Sequence, residues 1–149
     1  MKNKVLTTMM AIALFMTLAA GSTYAQGADV LRVNVPFDFA ISSKKLAAGE
    51  YYLRRSIEGS RVVLQIRSKD NSQNVYLPTA HTVKTPGTQG DSKLVFNRYG
   101  DQFFLSQVWI AGLTDGQELT KTGRERLLQR EMARGSGKPE TISIAAHFR

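Results

Sequence analysis

The sequence predicts a mainly β protein: an antiparallel β-sandwich or partly open barrel of six to seven strands, with one C-terminal helix. Three observations carry that reading. Apolar and polar residues alternate from Leu31 to Ile41, the signature of a half-buried strand. Two-residue turn signals at Glu58-Gly59, Asp70-Asn71 and Gly100-Asp101 separate runs rich in β-branched and aromatic residues. A capping box, Thr122-Gly-Arg-Glu125, opens the one stretch rich in helix formers.

Residues 1–25 read as a cleavable secretory signal peptide. Lys2 and Lys4 form a positive n-region, and Val5–Ala20 is an uncharged, mostly apolar run. Thr23-Tyr24-Ala25 places small residues where a signal peptidase reads them, so cleavage is expected after Ala25. The run is short for a bilayer span. The expected product is exported, periplasmic or extracellular, and not an integral membrane protein. The chain has no cysteine, which removes a lipid anchor and every disulfide. About 124 residues remain, enough to bury one core without staples.

That product divides into a single β domain, 26–135, and a tail, 136–149. Its first strand presents Leu31, Val33, Val35, Phe37, Phe39 and Ile41 on one face. Pro36 has no ladder donor and belongs at an edge or a bulge. Ser42–Lys45 turns the chain. A three-strand meander follows, near 51–57, 61–67 and 74–83. A turn centred on Glu58-Gly59 pairs Tyr51 with Ile66, Leu53 with Leu64 and Arg55 with Val62. A turn centred on Asp70-Asn71 pairs Ile66 with Val75, Leu64 with Leu77 and Val62 with Thr79. Both registers set Leu64 and Ile66 against apolar partners, and a one-residue slip would reverse every face. The opposite face carries Tyr52, Arg54, Gln65, Arg67 and Tyr76 and is expected to be wetter. Thr85–Ser92, with two glycines and a proline, is a polar loop and a place for binding residues.

Next comes a hairpin, 93–99 and 102–110, about a type II′ turn with Gly100 first. Strict alternation puts Leu94, Phe96, Phe103, Leu105 and Trp109 on one face, and Val95, Tyr99, Phe104, Val108 and Ile110 on the other. Both faces need cover. The helix, about 123–134, is the expected cover for the second, through Leu127, Leu128 and Met132. Gly135 ends it. The tail has room for one further short strand at Thr141–Ile144.

Composition constrains function more by exclusion than by motif. The net charge of +8 falls to +6 when Lys2 and Lys4 are removed. The basic residues are spread over strands and helix with no dense run, so the charge reads first as a solubilising surface; an exported protein's partner would be an envelope polyanion or another envelope protein, and not nucleic acid. His81 and His147 are the only histidines and have no ligand-spaced neighbours, so no metal and no cofactor are expected. Ser42-Ser-Lys-Lys45 matches S-x-x-K but falls in a turn and not on a helix. Gly135-Ser-Gly-Lys138 follows a helix where a phosphate loop precedes one. Asp38, Glu50 and Asp101 are the acids near strands, and nothing in the sequence brings two of them together. No residue is therefore assigned a catalytic role.

The aromatic residues are mostly core by period, but Tyr52, Arg54, Arg67 and Tyr76 share the polar meander face. Aromatic plus arginine on an open sheet is a binding platform, and these four form the candidate surface. The strings Val35-Pro-Phe-Asp-Phe39, Leu46-Ala-Ala-Gly-Glu-Tyr51 and Phe96-Asn-Arg-Tyr-Gly-Asp-Gln-Phe-Phe-Leu105 resemble a family of small exported bacterial proteins of uncharacterised function. The resemblance implies export and a shared fold, and brings no site residue with it. The expected function is a non-enzymatic binding or structural role in the envelope or outside the cell. Alternatives are a carrier holding a small apolar ligand in a β cavity, a hydrolase with a loop-built site, and an outer-membrane barrel. The charged helix and short strands argue against the last.

Overall fold

The computed structural model describes residues 30–59, 61–84 and 90–149. The signal-peptide reading and most of the 85–92 loop lie outside them. The elements in chain order are β1 (Val30–Val35), β2 (Phe39–Ile41), β3 (Lys44–Leu46), β4 (Gly49–Glu58), β5 (Arg61–Ser68) and β6 (Asn74–Leu77). Then come β7 (Thr79–Lys84), β8 (Ser92–Tyr99), β9 (Gln102–Trp109), β10 (Asp115–Leu119), α1 (Gly123–Arg134) and β11 (Glu140–Phe148).

All the strands belong to one sheet, ordered β3-β2-β9-β8-β11-β1-β4-β5-β6, with β10 joining β9 to β7. The sheet curls into an open half-barrel. Of the two expected architectures this is the barrel, not the two-sheet sandwich. It has more strands than the six to seven expected: prolines cut two of the expected runs, and β3 and β10 are strands the pattern did not mark. Pro36 ends β1, and the chain crosses to the other side of the sheet to form β2. Pro78 ends β6 on the β5 side, and β7 begins at once on the β10 side, where Thr120 N–H donates to the Pro78 carbonyl at 2.9 Å. A proline is tolerated there because the strand is changing partners and needs no donor.

The two meander registers fared differently. β5 pairs with β6 as expected at Leu64 opposite Leu77 and Ile66 opposite Val75, but the third expected pair, Val62 with Thr79, does not form, because Thr79 has crossed to pair with Leu119 of β10. β4 and β5 are offset from expectation by two residues: Leu53 faces Ile66, Arg55 faces Leu64, and Tyr51 faces Ser68. Pairing continues out to Glu58 opposite Arg61, so the loop begins at Gly59, which takes φ +60°. Glycine accepts that conformation without strain. An offset of two preserves the faces, so the polar face is as the alternation placed it.

The β8–β9 hairpin also turns where expected, with Gly100 at φ +61°. Its face assignment needs correction beyond residue 105. A bulge leaves Ser106 without a partner: Phe96 faces Leu105, and the next pair is Val95 with Gln107. The extra residue reverses the alternation. Val108 and Ile110 therefore join the interior, and Trp109 turns outward with Val95, Tyr99 and Phe104.

The interior is one apolar cluster drawn from β1–β6 and β8–β11. Phe96 lies at its centre, edge-on to Phe37 and Phe39, with Phe37 stacked on Phe103 at 4.0 Å. Phe39 and Phe96, the fully buried pair, contribute about 1.5–3 kcal/mol each.

Helix α1 starts as expected, with Thr122 Oγ1 accepting from the Glu125 amide at 3.0 Å. The Glu125 carboxylate does not reach back to close the box. It is 4 % exposed and accepts from Asn97 Nδ2 at 3.2 Å and Tyr99 O–H at 3.4 Å. These contacts dock the helix on the outer face of β8. Of the expected apolar stripe, Leu128 and Met132 are half-buried, whereas Leu127 is 54 % exposed.

The largest departure is at the C-terminal end. Residues 140–148, read as a tail with one short strand, form the nine-residue β11. It lies mid-sheet, between β8 and β1.

Candidate functional site

The outer face of β11, β1, β4, β5 and β6 collects the four sequence-nominated residues into two adjacent cross-strand rows. In the first row His147 pairs with Arg32, Arg32 with Tyr52, Tyr52 with Arg67, and Arg67 with Asn74. In the second, Arg54 pairs with Gln65 and Gln65 with Tyr76. Neighbouring strands lie about 4.8 Å apart, so the first row spans about 19 Å. A shallow depression runs between the rows, lined by Tyr52, Arg54, Gln65, Arg67 and Asn74. Arg149 adds its guanidinium over the Tyr52 ring, 5.4 Å from the centroid.

Glu50 is the one carboxylate set among these rows in the described residues; Glu58 stands at the hairpin tip. Glu50 accepts from Tyr52 O–H at 2.9 Å, Arg32 at 3.0 Å and Lys69 at 3.3 Å. The Tyr52 hydrogen bond, followed by Lys69 and Arg32, holds its carboxyl below the ordinary 4.5. Glu50 thus stays ionised and ties down Arg32, Lys69 and Tyr52. Arg54 and Arg67 pair with no carboxylate among the described residues and project as free cations. Tyr76 is 66 % exposed, with its ring open to a partner. Sequence reasoning missed Arg32, His147 and Arg149, because it assigned neither β1 nor β11 a place beside the meander.

A second concavity was not legible in the sequence. It is a cleft of about 690 Å³ between the β2–β3 hairpin, the start of β9 and the first turn of α1. Asp38 and Asp101, two acids that the sequence did not relate, both line it. The parallel pairing of β2 with β9, Ala40 beside Phe104, is what sets them on the same cleft. Asp38 Oδ1 accepts from the Ala48 amide at 2.8 Å, and Arg124 Nε donates to Gln102 Oε1 at 2.9 Å.

The remaining sequence candidates stay apart from both features or lack a chemical partner. Ser42 lies in the β2–β3 turn and Lys45 in β3, not on a helix; both line the second cleft without forming a nucleophile–base pair. His81 meets a single carboxylate, Glu118, at 3.3 Å across β7 and β10. No group of three or more potential ligands among the described residues is arranged to hold a metal ion. No described helix is long and apolar enough to cross a membrane. Comparison with protein-family models, curated proteins and solved structures finds no match to the chain. The reading of function rests on these surfaces.

Proposed function

We propose that this is an exported, non-enzymatic binding protein whose polar sheet face takes an extended polyanion of the cell envelope. The two cross-strand rows carry the reading. They present Arg54, Arg67 and Arg149 as cations, with Tyr52 and Tyr76 between and beside them, over a length that several repeating units of a polymer would span. A sheet is a rigid support, so little ordering cost falls on binding. Because the cations are exposed, attraction is long-ranged and salt-sensitive.

The test uses the purified protein, dextran sulfate as probe, and a series of salt concentrations. Binding is expected at low salt, weakening steeply as salt rises. The double variant Arg54→Glu/Arg67→Glu is expected to weaken it by at least about tenfold. Glu50→Gln is expected to strengthen it, since it removes the one anion in the patch. The control is Arg126→Glu/Arg130→Glu on the exposed side of α1, which changes net charge equally. Equal loss in that control would show attraction to overall charge and sink the proposal.

A further inference from the structure

The cleft between the β2–β3 hairpin and α1 shares no strand with the basic face, and its chemistry is of a different kind. We infer that it is a binding site for a short neutral saccharide. Its volume, about 690 Å³, lies within the range of about 300–1,000 Å³ that small-molecule sites occupy. That is more room than one amino acid needs and enough for more than one pyranose ring. Its charged side chains balance: Asp38 and Asp101 against Lys45 and Arg124. A polyanion is disfavoured by the two carboxylates. An apolar ligand would strip water from all four charges and return no hydrogen bonds.

A neutral hydroxyl-rich ligand meets neither objection, because each hydroxyl both donates and accepts. Asp101 and the second oxygen of Asp38 are acceptors with no protein donor among the described residues. Lys45, the terminal nitrogens of Arg124 and the amide of Gln102 are donors in the same position. Ser42, Ser43 and Thr122 add hydroxyls at the rim. Ala40, Phe103 and Phe104 supply apolar lining. A sugar ring has this two-sided character, with C–H groups for the apolar lining and hydroxyls for the rim.

The experiment is an amide-resolved NMR titration of the purified protein with maltotriose and, separately, N,N′,N″-triacetylchitotriose. Saturable shifts with at least one are expected at Ser42–Lys45, Asp101–Phe104 and Gly123–Arg124, unchanged by added salt. The double variant Asp101→Ala/Arg124→Ala is expected to weaken that binding at least tenfold. Should that variant lose the native spectrum, Ser43→Phe, on the exposed turn, is expected to block the cleft instead. Arg54→Glu/Arg67→Glu, on the basic face, is expected to leave saccharide binding intact. No saturable shift with either trisaccharide would overturn the assignment. So would shifts at these residues from trialanine or dextran sulfate in place of the sugars, or sugar-induced shifts confined to other residues.

Discussion

Gly116 sits in β10 against the flat of the Trp109 ring, and adding one methyl group there tests how tightly the outer layer is packed. A Cβ at this position would lie 2.6 Å from Cδ2 and 2.7 Å from both Cε2 and Cε3 of the indole. Carbon atoms pack comfortably at about 3.5–4.0 Å, so the ring would have to retreat by about 1 Å. It has little freedom to do so. Trp109 is 7 % exposed, its Nε1–H donates to Gln107 Oε1 at 3.0 Å, and the Lys93 ammonium stands 6.0 Å from its centroid. Overpacking of this kind costs about 1–3 kcal/mol. The gain in backbone rigidity on replacing a strand glycine offsets about 0.5–1 kcal/mol of that. With the Cβ at 2.6–2.7 Å from three ring atoms the cost falls in the upper part of that range, and Gly116→Ala is expected to destabilise the fold by about 1–2.5 kcal/mol net. Urea unfolding measures it, and Trp109, the only tryptophan in the chain, reports the displacement through its emission maximum. In a Trp109→Leu background, followed by circular dichroism, the same substitution is expected to lose most of its cost, because the clash is gone. A Gly116→Ala variant within about 0.5 kcal/mol of the parent and with unchanged emission would refute the packing described for this layer.

Two further outcomes follow from the helix and its docking face. Ser136 occupies the left-handed position after α1, at φ +60°, while Gly137 N–H donates to the Met132 carbonyl at 2.9 Å. The neighbouring glycines thus leave the one strained position to a serine, and Ser136→Gly is expected to stabilise by about 1 kcal/mol, read as a raised urea midpoint at constant m-value. Tyr99 is pushed up to about 12 from 10 by burial first, and then by the charge and hydrogen bond of Glu125. Below pH 10 both folded and unfolded chains keep this proton; between 10 and 12 only the unfolded chain gives it up, so stability falls across that window. Tyr99→Phe is expected to make that alkaline fall shallower, and an unchanged slope would mean that Tyr99 is not buried beside Glu125 as described.

The parts of this fold that sequence showed are those set by period and by local turn chemistry. Leu64 and Ile66 reached the interior although the β4–β5 register was wrong by two residues, because the two faces of a strand repeat every two. For the same reason Tyr52, Arg54, Arg67 and Tyr76 were placed on one face correctly. Thr122 and the residues after it set the helix limits through a local cap. What stayed hidden depends on distant partners. Asp115–Leu119 has no apolar alternation and is a strand because β7 and β9 flank it. The bulge at Ser106 turns Trp109 outward without any glycine or proline to mark it. β11 does alternate at Ile142, Ile144 and Ala146, but its alanines are weak strand formers, and only the gap between β8 and β1 makes it a central strand. The cleft was invisible for the same reason: it depends on one parallel contact between β2 and β9.

The proposed polyanion partner would account for the way charge is distributed over the sheet face. A surface serving solubility intersperses both signs. The sheet face does not. Glu50 is held ionised by Tyr52, Lys69 and Arg32, and its bonds fix the positions of Tyr52 and Arg32 without neutralising Arg54 or Arg67. A carboxylate placed to pair with those two arginines would need only a cross-strand position on β5 or β6, and Gln65, Asn74 and Tyr76 stand there instead. Each of those three keeps a polar group and gives up the charge. Repulsion between the unpaired arginines is a standing cost to the folded state. A polyanion laid along the rows, as proposed, would relieve it.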